Sequence, residues 1–562
     1  MRDSLVPQII LLLIVWAVII VFIDPVGEFM TNDDWSFVRV YEALRDEGKI
    51  IATGWGRGGP SAIVHVLWGG AFTHVFGYSL TMLRISVLCL AVLTSCSLLM
   101  IFRQSGASPW TALVGALTFM ANPFVMSQAF TFMTDITFVC LMVFCVFWLA
   151  RGVERENIPE ITLGLFLALL AILTRQIGIV IPAAFVATIL IHPRGRDLPR
   201  IKLIALCIAV TILPWILYEW SLHMLGSTPV TKHEVFHNLW ARPMEYGFPR
   251  YIWVVLAQIL EAAGGWVCLF VAPLAMLNLR VLLRTKAFQL LAAALALGTV
   301  AAVTLIHKGV IDLPVVFHGN VLYDFGIGPI VLKDTYILKI PPNDRVPKEV
   351  FYLTVGFLLL SGGAVVRLLI SHFVRLFSGP DRISDKPASF LGTFAVLASF
   401  CYLGIIGLTG FLDRYLIPLI ALCMIWLTAD YADIMNRSVK GWWSIACLIF
   451  ILCLGSQSAE AVQDFMAMKR ELASAQRFVV EELHTSPCNM DGGFEFNGYH
   501  CYRPDYARRD SISWWWVERE DYLLTLTPLP GYKVIKTFPF RRYIGRNGAV
   551  HVLQPENPPP AF

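Results

Sequence analysis

The run VPQIILLLIVWAVIIVFI, from Val6 to Ile23, is followed a few residues on by Thr31-Asn32-Asp33-Asp34-Trp35. These two stretches decide the fold. The first carries no charge and is long enough to cross a hydrocarbon layer as a helix. It follows a single arginine and lacks a small-residue cleavage site, so it reads as a retained membrane helix rather than a removed signal peptide. The second sets two carboxylates beside that helix, where they cost free energy unless they bind or react with something.

The rest of the chain repeats the first pattern. Of 562 residues, 57% are hydrophobic and 15% charged, far from the balance of a soluble protein of this length. Thirteen segments read as candidate spans: 6–23, 79–102, 109–128, 136–150, 159–173, 177–191, 202–222, 251–276, 287–306, 349–371, 389–409, 415–432 and 442–457. The polar break Thr174-Arg175-Gln176 divides 159–191 in two, because a lone arginine at mid-membrane is expensive. The expected fold is a polytopic α-helical membrane protein. A net charge of +4, with basic residues confined to short loops, excludes a nucleic-acid partner.

Those basic residues set the orientation. Arg103, Arg151, Arg155, Arg194, Arg196, Arg200, Lys202, Arg280, Arg284, Lys286, Arg375, Arg382, Lys386, Arg437 and Lys440 share one side if the N-terminus is cytoplasmic. Loops 24–78 and 307–348 and everything after 457 are then extracytoplasmic. Ten of the twelve cysteines fall in predicted spans, and the remaining two, Cys488 and Cys501, lie in a compartment that permits a disulfide.

Two domains are expected: a membrane module over 1–458 and an extracytoplasmic C-terminal α/β domain over 459–562. The second opens with a helical stretch, Ala459 to His484, and continues with β-type runs at Tyr522–Leu526 and Tyr532–Ile535. The tail from Pro555 reads as disordered. Trp514-Trp515-Trp516 fits the core of this domain or a sugar-stacking surface. No internal repeat is visible, so an inverted-repeat transporter has no direct support.

The chemistry gathers in the external loops. Ser36 to Arg45 reads as a short amphipathic helix entered through capping residues, which places Asp33 and Asp34 at a helix start where carboxylates are favoured. One carboxylate suffices for a cap, which leaves its neighbour for another task. Asp135 opens a later span and supplies a second acidic site, while Arg57, Arg175 and Arg414 offer cations at the same level. Carboxylates and arginines at a membrane surface suit a lipid-linked phosphate: arginine neutralises the phosphate and a carboxylate deprotonates an attacking hydroxyl. Loop 307–348 adds Lys333, His318 and Asp324 without zinc spacing, as a lid or acceptor platform beside the site.

Four motifs carry a resemblance: Thr31-Asn32-Asp33-Asp34; Phe76-Gly77-Tyr78-Ser79-Leu80-Thr81-Met82-Leu83-Arg84; Asp135 ahead of its span; and Arg414-Tyr415-Leu416-Ile417-Pro418. With Leu173-Thr174-Arg175-Gln176, they make the chain similar to the GT-C glycosyltransferases, in particular the bacterial aminoarabinose transferases of lipid A and the protein O-mannosyltransferases. That group usually shows Lys-Pro-Pro where this chain has Gly58-Gly59-Pro60, so either Arg57 replaces the missing basic group or the donor is held differently.

The resemblance implies a GT-C-like module in a bacterial cytoplasmic membrane. It would transfer a sugar from a polyprenyl-phosphate donor, with inversion, to a lipid, glycan or protein acceptor. Asp33 or Asp34 is then the base, with Asp135 assisting. Arg57, Arg175, Arg414 and Lys333 meet the donor phosphate, and Trp35, Trp55, His318, Asp324 and Tyr415 contact sugar or acceptor. No cofactor is required, and a divalent cation held by the carboxylates is the alternative reading of the acidic residues. The rival functions are a lipid-linked-sugar flippase and a polysaccharide ligase or polymerase.

Overall fold

A computed structural model of the protein describes residues 5–51, 60–228, 241–245, 247–286, 289, 320–323, 326–342, 348–379, 381, 383, 386–410, 412–438, 442–503, 506 and 515–556. Among these residues nine helices are long and apolar enough to cross a membrane. They are α1 (Val6–Ile23), α4 (Leu80–Gln104), α7 (Thr134–Glu154), Arg200–Met224, Phe248–Phe270, Gly356–Ser378, Phe390–Thr409, Asp413–Ser438 and Ser444–Glu482. The chain is therefore a multi-pass membrane protein.

Three of the thirteen expected spans take another form. The segment expected at 109–128 is a pair of helices, α5 (Pro109–Met120) and α6 (Pro123–Ala129), bent by 66°. Asn122 makes the break, since its side chain caps α6 by accepting from Phe124 N at 2.8 Å and Pro123 takes the first helical position. The segments expected at 159–173 and 177–191 are the shorter helices α8 (Ile158–Ile172) and Gln176–Ile191. Fifteen residues of α8 reach about 22 Å, less than the hydrocarbon thickness of about 30 Å. The span expected at 287–306 lies outside the described residues.

Packing inside the membrane module depends on small residues. Helices α7 and α8 pack closely, and an added Cβ at Gly164 would sit 2.7 Å from Leu149 Cγ. Without a hydrophobic force between helices in lipid, such close backbone approach is what holds them together. Between α1 and α4 the chain forms two helices, α2 (Asp34–Glu47) and the apolar α3 (Ile63–Phe76). Helix α2 buries Trp35, Phe37, Val38, Val40 and Tyr41, and stops at Gly48, whose φ of 65° is the left-handed value a C-terminal cap needs.

The C-terminal part is a four-stranded sheet in the order β3 (Met490–Asp491), β4 (Tyr522–Thr525), β6 (Gly548–Pro555), β5 (Tyr532–Phe540). Strands β3 and β4 are parallel and the other pairings antiparallel. The β-type runs read at 522–526 and 532–535 are β4 and the start of β5. The boundary expected at 458/459 falls inside one continuous helix, Trp443–Arg477. Val462 and Phe465 of that helix join the sheet's Leu524, Val550 and Val552 in the same buried core as the membrane helices. Asp464 fastens the far end of the sheet by accepting from Tyr543 N at 2.7 Å and Ile544 N at 2.9 Å. Only Pro555 and Glu556 of the tail are described, the first ending β6; the rest lies outside the described residues.

Candidate active site

Each polar residue of the candidate site stands at a helix start or break, where the chain has backbone freedom to aim it. Asp33 occupies the cap position of α2, Asp135 the first turn of α7, Arg175 the break after α8, and Arg414 the 3-10 turn Asp413–Leu416. The fold brings the four into one chain of ion pairs. Arg414 Nη2 donates to Asp33 Oδ2 at 2.9 Å. Its Nε lies 4.0 Å from Asp135 Oδ2, and Arg175 Nη1 donates to Asp135 Oδ1. The Tyr415 ring faces both cations, with Arg175 Cζ at 4.5 Å and Arg414 Cζ at 5.7 Å from its centre.

Burial distinguishes the members. The Asp33 side chain is 26% exposed, whereas that of Arg414 is 4% and that of Asp135 is 2%. Arg414 Nε and Nη1 and Asp135 Oδ2 are buried without a hydrogen bond. A buried guanidinium with two nitrogens outside any hydrogen bond is costly unless an acceptor is supplied. Two carboxylates and two guanidinium groups leave this chain of ion pairs formally neutral.

The adjacent carboxylates have separate tasks. Asp34 is 3% exposed and turns back onto its own loop, accepting from Thr31 N and Thr31 Oγ1, each at 2.8 Å. It holds the turn, and burial pushes its carboxyl up to about 7. Asp33 makes no side-chain cap bond and points to Arg414.

The residues that fasten this arrangement were not apparent from sequence. Arg84, 1% exposed, donates to the carbonyls of Pro25 at 2.6 Å and Phe29 at 2.8 Å, tying the loop after α1 to α4. Asn32 N donates to Glu495 Oε1 at 3.0 Å, and Glu495 is paired at 2.5 Å with buried Lys469. Asp413 accepts from Val321 N at 2.8 Å and Leu322 N at 2.9 Å, which seats the hairpin β1 (Leu322–Tyr323) and β2 (Gly326–Ile327) next to Arg414. The partners lie far away in sequence.

Other expected site residues lie elsewhere. Trp35 is fully buried among Phe494, Tyr502 and Trp516, with ring centres 5.6 to 6.0 Å away, which leaves no surface for a sugar. The same cluster takes Trp515 and Trp516 into the core, while Trp514 lies outside the described residues. Lys333 is engaged with Glu520, whose carboxyl burial pushes up to about 7 despite that cation, so Lys333 is not a free phosphate ligand. Cys488 and Cys501 are joined by a disulfide with Cα atoms 5.6 Å apart. Arg57, Trp55, His318 and Asp324 lie outside the described residues. Among the described residues no group of three or more His, Cys, Asp or Glu side chains is placed to hold a metal ion.

A multi-pass helical membrane protein with a linked acid–arginine centre is the class these features define. Residues 62–218, which include Asp135 and Arg175, match a family model described as dolichyl-phosphate-mannose-protein mannosyltransferase. This match supports a glycosyltransferase of the GT-C type. Two solved structures are also similar, those of ArnT from Cupriavidus metallidurans in the apo state and bound to undecaprenyl phosphate. They are 13% and 12% identical, each comparison covers 98% of both chains, and the TM-scores are 0.38 and 0.37. Among curated proteins none matches the chain.

Proposed function

We propose that the protein transfers a sugar from a polyprenyl-phosphate donor to an acceptor on the extracytoplasmic side of a bacterial cytoplasmic membrane, its N-terminus being cytoplasmic. The observation that carries the reading is the pairing of partly exposed Asp33 with buried Arg414, whose Nε and Nη1 have no hydrogen bond. In this reading the donor phosphate docks on those two groups, with Arg175 and Tyr415 beside it. Neutralising the charge that develops on the leaving phosphate is the main catalytic contribution.

Arg414 also positions the base: it holds the Asp33 carboxylate by its Nη2 hydrogen bond, and a donor phosphate competes for the same guanidinium. Asp33 then takes the proton of the acceptor hydroxyl, the acceptor oxygen bonds to the anomeric carbon, and the phosphate departs with the electron pair of the broken bond. Attack opposite to the leaving group gives inversion. Asp135 keeps Arg175 in place and Asp34 keeps the turn. The residues supply the neutralising charge themselves, so the reading requires no cofactor.

The test is release of polyprenyl phosphate from a single-sugar donor by the full chain in lipid nanodiscs. The wild type is expected to release it and Asp33→Asn to lose at least 100-fold in rate while still inserting in the membrane. Full release by Asp33→Asn would remove the base assignment. Donor translocation without release would favour the flippase, and transfer of long chains only would favour the polymerase.

A further inference from the structure

A second site lies behind the turn that carries Asp33. It is a cavity of about 420 Å³ bounded by the loop after α1, the start of α4, the helix Trp443–Arg477 and the helix Phe494–Cys501. This volume lies in the range of small-molecule sites, about 300–1,000 Å³. Unlike the formally neutral arginine centre, the cavity lining has more carboxylates than cations. Four carboxylates line it, Glu28, Glu42, Glu481 and Glu495, against two cations, Lys469 and Arg477. Glu495 and Lys469 cancel in their own ion pair at 2.5 Å, which leaves the cavity net negative. Burial holds His500 below its ordinary value, so it adds no charge at neutral pH.

The remaining walls combine ring faces with hydrogen-bonding edges. Tyr78 and Tyr499 both donate to Glu42 Oε1, at 2.6 and 2.7 Å, so both hydroxyl oxygens keep lone pairs to accept with. The Phe496 and His500 rings pack at a tilt with centres 4.6 Å apart. Aromatic faces for C–H surfaces and fixed acceptors for hydroxyl or amine protons are the groups that recognise a sugar ring. A phosphate meets repulsion from the excess of carboxylates, and an acyl chain would cover them with a surface that offers no hydrogen bond.

We propose that this cavity binds a neutral or amine-bearing saccharide and holds the acceptor, which makes the acceptor a glycan. This rests on the transferase reading above and extends it. The cavity is coupled to the catalytic turn through shared residues: Met30 and Glu495 line it, and Glu495 accepts from Asn32 N, next to Asp33. Occupation of the cavity would thus bear on the turn that holds Asp33.

The experiment uses the full chain in nanodiscs without donor, with cellobiose, chitobiose, glucosamine and glucose 6-phosphate as probes, and reads binding by saturation-transfer NMR and calorimetry. At least one uncharged or amine-bearing probe is expected to bind ten times or more tightly than the sugar phosphate. Ala473→Phe, which fills the cavity from its helical wall, should abolish binding. His500→Ala, which removes one ring of the Phe496–His500 pair, should weaken it threefold or more. Arg414→Ala and Asp33→Asn should bind as the wild type does. No binding by any sugar up to 50-fold above a millimolar range (about 50 mM), tighter binding of glucose 6-phosphate, or binding unchanged in both cavity variants would overturn the proposal. A second readout separates the two readings: if the probe binds as expected but the wild type never releases polyprenyl phosphate, the transferase reading fails and the saccharide site stands.

Discussion

Arg414 reaches across the molecule to Asp33, donating from Nη2 to Oδ2 at 2.9 Å although 381 positions separate the two in sequence. One residue opens the last-but-one predicted span and the other follows the first, so the pair joins the two ends of the membrane module at its working face. Arg414 is the member with donors to spare, and Asp33 the member within reach of solvent.

Replacing Arg414 by lysine therefore removes more than geometry. Lysine is a point charge that can keep Asp33 company or meet a phosphate, while the guanidinium fork can do both. Arg414→Lys is expected to lower kcat/KM for the donor by about 10²-fold and Arg414→Ala by about 10³-fold, the range for losing a group that stabilises developing charge. Steady-state kinetics of polyprenyl-phosphate release check this. Losses below threefold in the alanine variant would take Arg414 out of the phosphate site.

Asp34 gives a prediction of a different kind. Burial raises its folded pKa from 3.8 to about 7, so between those values the folded chain holds a proton that the unfolded chain has released. Stability from this group is present below about pH 4 and is lost as pH rises through 7, a change of about 4 kcal/mol at about 1.4 kcal/mol per pH unit. Asp34→Asn cannot ionise, and Thr31 Oγ1 can turn to accept from the new amide. The variant should melt higher than wild type at pH 8, with the gap closing toward pH 4 in thermal-shift scans, and it should keep transferase activity. Transfer abolished in Asp34→Asn but retained in Asp33→Asn would assign the base to Asp34.

Much of this was legible in the sequence for a physical reason: apolar runs and charge at loop ends are local signals. The first span, the helix after the acidic pair, the strand 522–525 and the start of the strand 532–540 follow from short stretches read on their own, and the Cys488–Cys501 bridge from the side of the membrane that loop charges assign. The bent pair at Asn122 was missed because hydropathy averages over a polar break. Trp35 was misread as a sugar contact because an aromatic beside two carboxylates looks the same whether it faces solvent or a second domain. The anchoring pairs of Asn32 with Glu495 and of Asp413 with Val321 join residues 463 and 92 positions apart, and no single-segment pattern encodes a partner at that range.

The burial of Trp35 leads to the last prediction. Gly498, in the helix Phe494–Cys501, faces the Trp35 ring so closely that a Cβ would lie 2.6 Å from Cε2 and 2.8 Å from Cζ2. The ring is fixed on its other sides by Phe494, Tyr502 and Trp516 and cannot give way. In an open helix Gly→Ala is worth about 0.5–1 kcal/mol of stabilisation. Overpacking a well-filled core costs about 1–3 kcal/mol. Overpacking wins, so Gly498→Ala should lower the apparent melting temperature, and because Trp35 lies two residues from Asp33 it should lower transfer as well. Adding Trp35→Phe makes room and should return part of both losses, the non-additivity expected of residues in contact. A Gly498→Ala variant that melts higher than wild type with unchanged transfer would show that Trp35 does not pack on this helix, and the route by which the C-terminal part positions Asp33 would have to run through Glu495 alone.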